Sequence, residues 1–127
     1  MEIPQIEFPS IISIPSNKFQ KYMKDLNSLG VDCKLNITSV EQQLTFECQG
    51  DFTDNKIIIG DSPTNTFKQE CHDIIQGSFS LKFIILFTKA TSLCTTVQIY
   101  LKNDYPIILE YSVGVLGKLR FILAQNL

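Results

Sequence analysis

The sequence predicts an α+β domain built from two β-α-β-β-β units, with two helices packed on one face of a curved, mainly antiparallel sheet. Three observations carry that expectation. Apolar residues recur at spacings of three and four in two separate segments, Phe19-Tyr22-Met23-Leu26-Leu29 and Phe79-Phe83-Leu86-Phe87-Ala90, as helices lying on a sheet require. Short β-rich runs bounded by turn residues flank each segment. The order strand, helix, three strands then occurs twice, and two such units can bury two helices side by side against one layer.

Taken in order, Phe8 to Ile14 reads as a strand bounded by Pro9 and Pro15. Pro15-Ser16-Asn17 signals a helix start, because a hydroxyl or amide there can accept from unpaired first-turn amides. Gly30 suits the helix end, since it adopts the left-handed conformation without penalty. Strands are expected at about Val31 to Thr38, Gln43 to Gln49, Lys56 to Gly60 and Thr66 to Ile75. In the second, Leu44, Phe46 and Cys48 alternate with Thr45, Glu47 and Gln49. The run Phe79 to Thr91 is expected to be the second helix, although Leu81, Ile84 and Ile85 leave so little of it polar that periodicity alone also fits a buried strand. Strands at about Cys94 to Lys102, Ile107 to Val113 and Lys118 to Ala124 complete the chain.

With 127 residues, 44% of them hydrophobic and 19% charged, the chain has the composition of one ordinary globular domain. The start Met1-Glu-Ile-Pro has no basic stretch followed by an apolar run, so no secretory signal is expected, and no apolar run is long enough to span a membrane. Four cysteines, Cys33, Cys48, Cys71 and Cys94, lie far apart and are expected to be free thiols in a reducing compartment. Cys71-His72-Asp73 contains the parts of a thiol nucleophile system, but strand neighbours point to opposite faces and could not share a proton. No phosphate loop, metal-ligand spacing or carboxylate pair appears, so neither catalysis nor a cofactor is expected.

The net charge of −2 argues against a polyanion partner until position is considered. Five of the 11 basic residues, Lys18, Lys21, Lys24, Lys82 and Lys89, fall in the two helical segments, against one of 13 acids, Asp25. Lys82 and Lys89 stand two turns apart and so project from one side, roughly 10 Å apart along the axis. One such helix is ordinarily a solvated face; two with the same one-sided charge suggest sequence-independent contact with phosphates. Lysine suits that role as a flexible point charge that does not read bases.

Phe87-Thr-Lys-Ala-Thr91, Pro106-Ile-Ile-Leu-Glu-Tyr111 and Gly117-Lys-Leu-Arg-Phe-Ile-Leu-Ala124 resemble the last third of the eukaryotic-type sliding clamps, the proliferating cell nuclear antigen family. The resemblance is dense from Phe79 to Ala124, thinner from Ile3 to Leu29, and covers only the C-terminal half of a family protomer. It implies one DNA-clamp domain over residues 1–127, with 1–7 the end of an interdomain connector, 8–61 a first unit and 66–124 a second. It further implies a DNA polymerase processivity factor whose Lys18, Lys21, Lys24, Lys82 and Lys89 face duplex DNA inside a ring of clamp domains, working in a nucleus or other reducing replication compartment.

The same resemblance implies a pocket for a short aromatic-containing motif of polymerases, nucleases or ligases, formed by Ile3, Pro4, Pro106, Ile122, Leu123, Ala124 and Gln125. Asn55, Lys56, Ile57, Ile58 and Ile59 resemble the edge that joins a neighbouring subunit; Lys118, Leu119, Arg120 and Phe121 would meet the other half of the protomer. Departures are also visible. Gln125 stands where the family commonly has proline and Ile122 where it often has tyrosine, two extra residues fall around Val40 to Gln43, no lysine lies near Ser39, and the acidic tail of many members is missing. These features leave an alternative: a clamp-fold scaffold subunit of a nucleic-acid-modifying complex that has lost DNA encirclement.

Overall fold

A computed structural model describes residues 8–27, 34–49, 54–60, 65–69, 74–89, 94–113 and 117–125. The elements run β1 (Ser10–Pro15), α1 (Ser16–Asn27), β2 (Lys34–Val40), β3 (Gln43–Gln49), β4 (Asp54–Gly60), β5 (Thr66–Gln69), β6 (Ile75–Ser80), α2 (Leu81–Phe87), β7 (Thr96–Leu101), β8 (Ile107–Ser112) and β9 (Lys118–Leu123). Two helices and an all-antiparallel set of strands make this the α+β class expected. The strands form two sheets, ordered β5-β1-β7-β8-β9 and β4-β3-β2-β6.

Alternation explains most of this layout. In β3 Leu44, Phe46 and Cys48 are fully buried and Thr45 and Glu47 are not, because successive side chains point to opposite faces. Their partners in β2, Leu35 and Ile37, lie opposite Cys48 and Phe46 and face the same core. Between β2 and β3 the chain turns in two residues, Glu41 (φ 47°) and Gln42 (φ 63°), with Val40 paired to Gln43. Positive φ at both central positions matches the twist of the flanking strands.

Two expectations are corrected. The strand expected over Thr66 to Ile75 is two strands in different sheets: β5 pairs with β1, whereas β6 pairs with β2. The chain therefore crosses between sheets within that interval, and residues 70–73 lie outside the described set. The second helix begins at Leu81, since Phe79 and Ser80 belong to β6, opposite Leu35 and Lys34. Phe79 is 1% exposed as a strand residue of the core. A run apolar at nearly every position has no clear phase, so a 3.6-residue count started at Phe79 selected the wrong face.

Both helices pack against the sheets and against each other. α1 lies on β1 and β7 of the first sheet and on β4 of the second, and α2 lies on α1 and β6. Phe19 of α1 meets Phe46 of β3 at a ring separation of 5.9 Å, and Phe87 at the end of α2 stacks on Phe121 of β9 at 4.6 Å. Polar links tie the layers as well. Ser10 and Ser39 share a buried 2.8 Å hydrogen bond between sheets. In the turn after β7, Asn103 accepts from Gln76 N at 2.9 Å and donates to Ile74 O at 3.0 Å, so its amide serves the edge of β6 as another strand would. Ser16 N and Oγ donate to Thr95 O and Cys94 O, anchoring the start of α1 beside β7.

Candidate nucleic-acid interface and partner surface

α1 turns Phe19, Met23 and Leu26 into the core, which leaves Lys18, Lys21 and Lys24 exposed on the other side together with Asn17 and Asp25. α2 buries Leu81 and Ile84 and exposes Lys82; in the turn that follows it Thr88 is buried and Lys89 exposed. The two helices are in contact, and Gln20 Nε2 of α1 donates to Thr88 O at 3.3 Å. All five of these lysines are therefore exposed, four on the two adjoining helices and Lys89 in the turn just after α2. Lys21, Lys24, Lys82 and Lys89 make no ion pair among the described residues.

The apolar stripe expected on α2 is corrected here. Phe83 and Leu86, assigned to the sheet-facing side, are 46% and 52% exposed and share the outer arc with Lys82 and Lys89. The reason is the later helix start: Leu81, Ile84 and Thr88 recur at three and four and take the inward arc, and Phe83 and Leu86 fall opposite.

The residues of the expected partner pocket are only partly gathered. Ile3 and Pro4 lie outside the described residues. Ile122 is 44% exposed on the side of β9 away from the core, whereas Leu123, the next residue and so on the other face, packs against the core. Pro106 is half-buried and Ala124 exposed. Gln125 Nε2 donates to Tyr105 O at 3.2 Å, and its side chain passes so close to Gly77 that a Cβ there would meet it at 3.3 Å and the Phe79 ring at 2.9 Å. Gln125, Gly77 and Asn103 border an open groove of about 510 Å³ lined also by Asn36, Thr38 and Ser78. Besides Gln125, none of these groove residues is assigned to a functional site by the sequence.

The expected edges lie at sheet ends. β4, which carries Asn55 to Ile59, ends the second sheet, and β9 ends the first, as β6 and β5 do at the opposite ends. Alternation splits the three isoleucines, with Ile58 57% exposed and Ile59 4% exposed. Leu119 is 37% exposed on β9, and Phe121 is half-buried against Phe87.

One charged residue missed from the sequence is Glu110. It lies in β8 with its side chain only 4% exposed, where Arg120 Nε donates to it at 2.7 Å and Lys118 Nζ stands at 3.3 Å. The Tyr100 hydroxyl is 2.9 Å from Gln98 Oε1 and 3.4 Å from Glu110 Oε1. Burial pushes the Glu110 carboxyl up, but Arg120 and Lys118 outweigh it and hold it below the usual range; burial and then the Glu110 charge push Tyr100 up. A carboxylate whose folded pKa is depressed contributes stability above its unfolded value near 4.5, lost as pH falls through the folded value. Glu110→Gln is expected to cost about 1 kcal/mol at pH 7 and much less at pH 3. Urea unfolding at the two pH values checks this, and an equal cost at both would contradict it.

Among the described residues no cluster of His, Cys, Asp and Glu could hold a metal, and no helix is long and apolar enough to cross a membrane. Among the described residues neither Cys48 nor Cys94 is in a disulfide, and Cys48 Sγ donates to Lys34 O at 3.4 Å. Cys71, His72 and Asp73 lie outside the described residues.

Comparison with known proteins agrees with this architecture. Residues 2–126 match the family model of the proliferating cell nuclear antigen C-terminal domain. A probable DNA polymerase sliding clamp 1 of Paramecium bursaria Chlorella virus 1 is 36% identical over 131 residues, covering 100% of this chain and 49% of that protein. The proliferating cell nuclear antigen of Chaetomium thermophilum is 32% identical over 98% of this chain and 49% of its own length, and that of Caenorhabditis elegans gives the same three figures. The chain thus spans about half the length of these relatives. With two helices set against two antiparallel sheets and a family match over nearly its whole length, this chain belongs to the proliferating cell nuclear antigen family of sliding clamps, as a C-terminal domain of that family.

Proposed function

We propose that the chain is half of a DNA polymerase processivity clamp: Lys21, Lys24, Lys82 and Lys89, with Lys18 beside them, line the inside of a ring around duplex DNA, and the opposite side docks replication and repair enzymes. The observation that carries this is the contact between α1 and α2, which gathers exposed lysines of both helices over one shared core. Ammonium groups on flexible stems suit phosphates met in any sequence register. The role is that of a scaffold, with no catalytic step and no cofactor, in a nucleus or comparable replication compartment.

In this reading residues 1–127 form one clamp domain, with 1–7 the end of a connector and 8–61 and 66–124 its two units. β4 joins a neighbouring subunit and β9 joins the other half of the protomer. An open strand edge such as β4, with Ile58 exposed on it, is an association hazard unless paired, and head-to-tail closure pairs every such edge. Pro106, Ile122 and Ala124, with Ile3 and Pro4, take the apolar part of a client motif. The side chain of Gln125 at Gly77 favours a second reading, a scaffold subunit with altered client choice and no encirclement.

Light scattering separates the two. Mixed with an N-terminal clamp domain, the chain is expected to give one closed multiple of the pair. A monomer unaffected by that domain would contradict the ring and favour the scaffold.

A further inference from the structure

Lys118, Arg120 and Ile122 alternate along β9 and lie opposite Ser112, Glu110 and Ile108 of β8, so all six share the side of the sheet away from the core. Two cations surround one carboxylate there, which leaves a surplus positive charge on side chains 56% (Lys118) and 40% (Arg120) exposed. Glu110 holds the guanidinium through Nε at 2.7 Å, so the arginine is already ordered and has further donors for a second acceptor. Ordering before binding lowers the entropic cost of a new contact. Ile122, 44% exposed, stands one same-face step along the strand, about 7 Å away, with Lys118 about 7 Å beyond Arg120.

We propose that this strip selects acidic client segments: an extended peptide seats an apolar anchor on Ile122 and places a carboxylate two residues away on Arg120 and another four residues away on Lys118. The inference rests on the partner-docking reading of Ile122 given above. Charge decides the occupant, because a basic segment would meet the surplus positive charge and an uncharged one would leave it unanswered. The spacing follows from the strand, since an extended peptide has the same repeat of about 7 Å between alternate residues.

Fluorescence anisotropy with two labelled peptides tests it. Both carry a Phe-Phe pair; one has Glu at the second and fourth positions on each side of the pair, and its twin has Gln. The Glu peptide is expected to bind about five-fold more tightly at low salt, a margin that shrinks as salt rises. Lys118→Gln with Arg120→Gln should erase the margin without weakening the Gln peptide, and the triple variant that adds Glu110→Gln, leaving no buried charge unpaired, should do the same. Equal binding of both peptides by the parent, a margin that survives in the triple variant, or loss of the margin because a duplex oligonucleotide occupies Lys118 and Arg120, would each overturn the inference. Ile122→Asp separates the two levels: if it leaves the Gln peptide bound as tightly as before, the docking surface itself is wrongly placed.

Discussion

Reversal of Lys21, Lys24, Lys82 and Lys89 together to glutamate is expected to lower affinity for duplex DNA at least about a hundredfold at low salt while leaving the fold in place. Each phosphate neutralised by a lysine contributes about 0.9 to the slope of log affinity against log salt, so four contribute about 3.6, and the variant should lose that dependence along with the affinity. The fold should survive, because all four side chains are exposed and none is in an ion pair among the described residues. Exposed substitutions of this kind shift stability by about 0.5 kcal/mol or less each. Lys34→Glu, an exposed lysine at the start of β2, is the control and should change binding little. Filter binding across a salt series, with thermal unfolding of the same samples, decides the matter. Parent-like retention by the quadruple variant would remove the inner-face assignment.

Phe19→Ala is expected to be the most destabilising single change in α1, at about 3 to 5 kcal/mol. The ring is fully buried and packs on Phe46 of β3, so its removal opens a cavity where helix and second sheet meet. Domains of this kind are stable by only about 5 to 15 kcal/mol, so the loss is a large share of the total. It also weakens the seating of α1 and, through Gln20 and Thr88, the alignment of the two lysine-bearing helices. Urea unfolding measures the cost. A loss below about 1 kcal/mol would mean that α1 is held mainly by other contacts.

How far the fold could be read from the residues alone depends on how distinctly each segment was marked. β3 was legible because Leu44, Phe46 and Cys48 alternate with polar residues, and only a half-buried strand has that period. α1 was legible because its lysines occupy one arc and Phe19, Met23 and Leu26 the other. The α2 region was not, since apolar residues stand on every side from Phe79 to Phe87 and nothing local marks where strand gives way to helix. The division of Thr66 to Ile75 was hidden for a related reason: which sheet a short strand joins is set by partners distant in sequence, β1 for β5 and β2 for β6.

The site shows the same division. Exposed lysines on amphipathic helices announce themselves through spacing, and the structure leaves all five at the surface. Glu110 looked like a lone strand acid. Only the register that sets it opposite Arg120 makes it a buried anchor for two cations. Nothing in the sequence marks Asn103 for its role as a backbone mimic at β6, which depends on a contact between sheets. Gln125 read as a departure at the partner pocket, and its place beside Gly77 and Tyr105 follows from how the two sheets meet.

The central claim is that the faces of α1 and α2 turned away from the core form one continuous surface for duplex DNA. Amide chemical-shift mapping during titration with a short duplex tests this most directly. Perturbations confined to Asn17–Asp25 and Lys82–Lys89, fading together as salt is raised, are the predicted result. Perturbations centred on Tyr100, Glu110 and Lys118–Ile122 of the first sheet's outer side, with both helices silent, would contradict it.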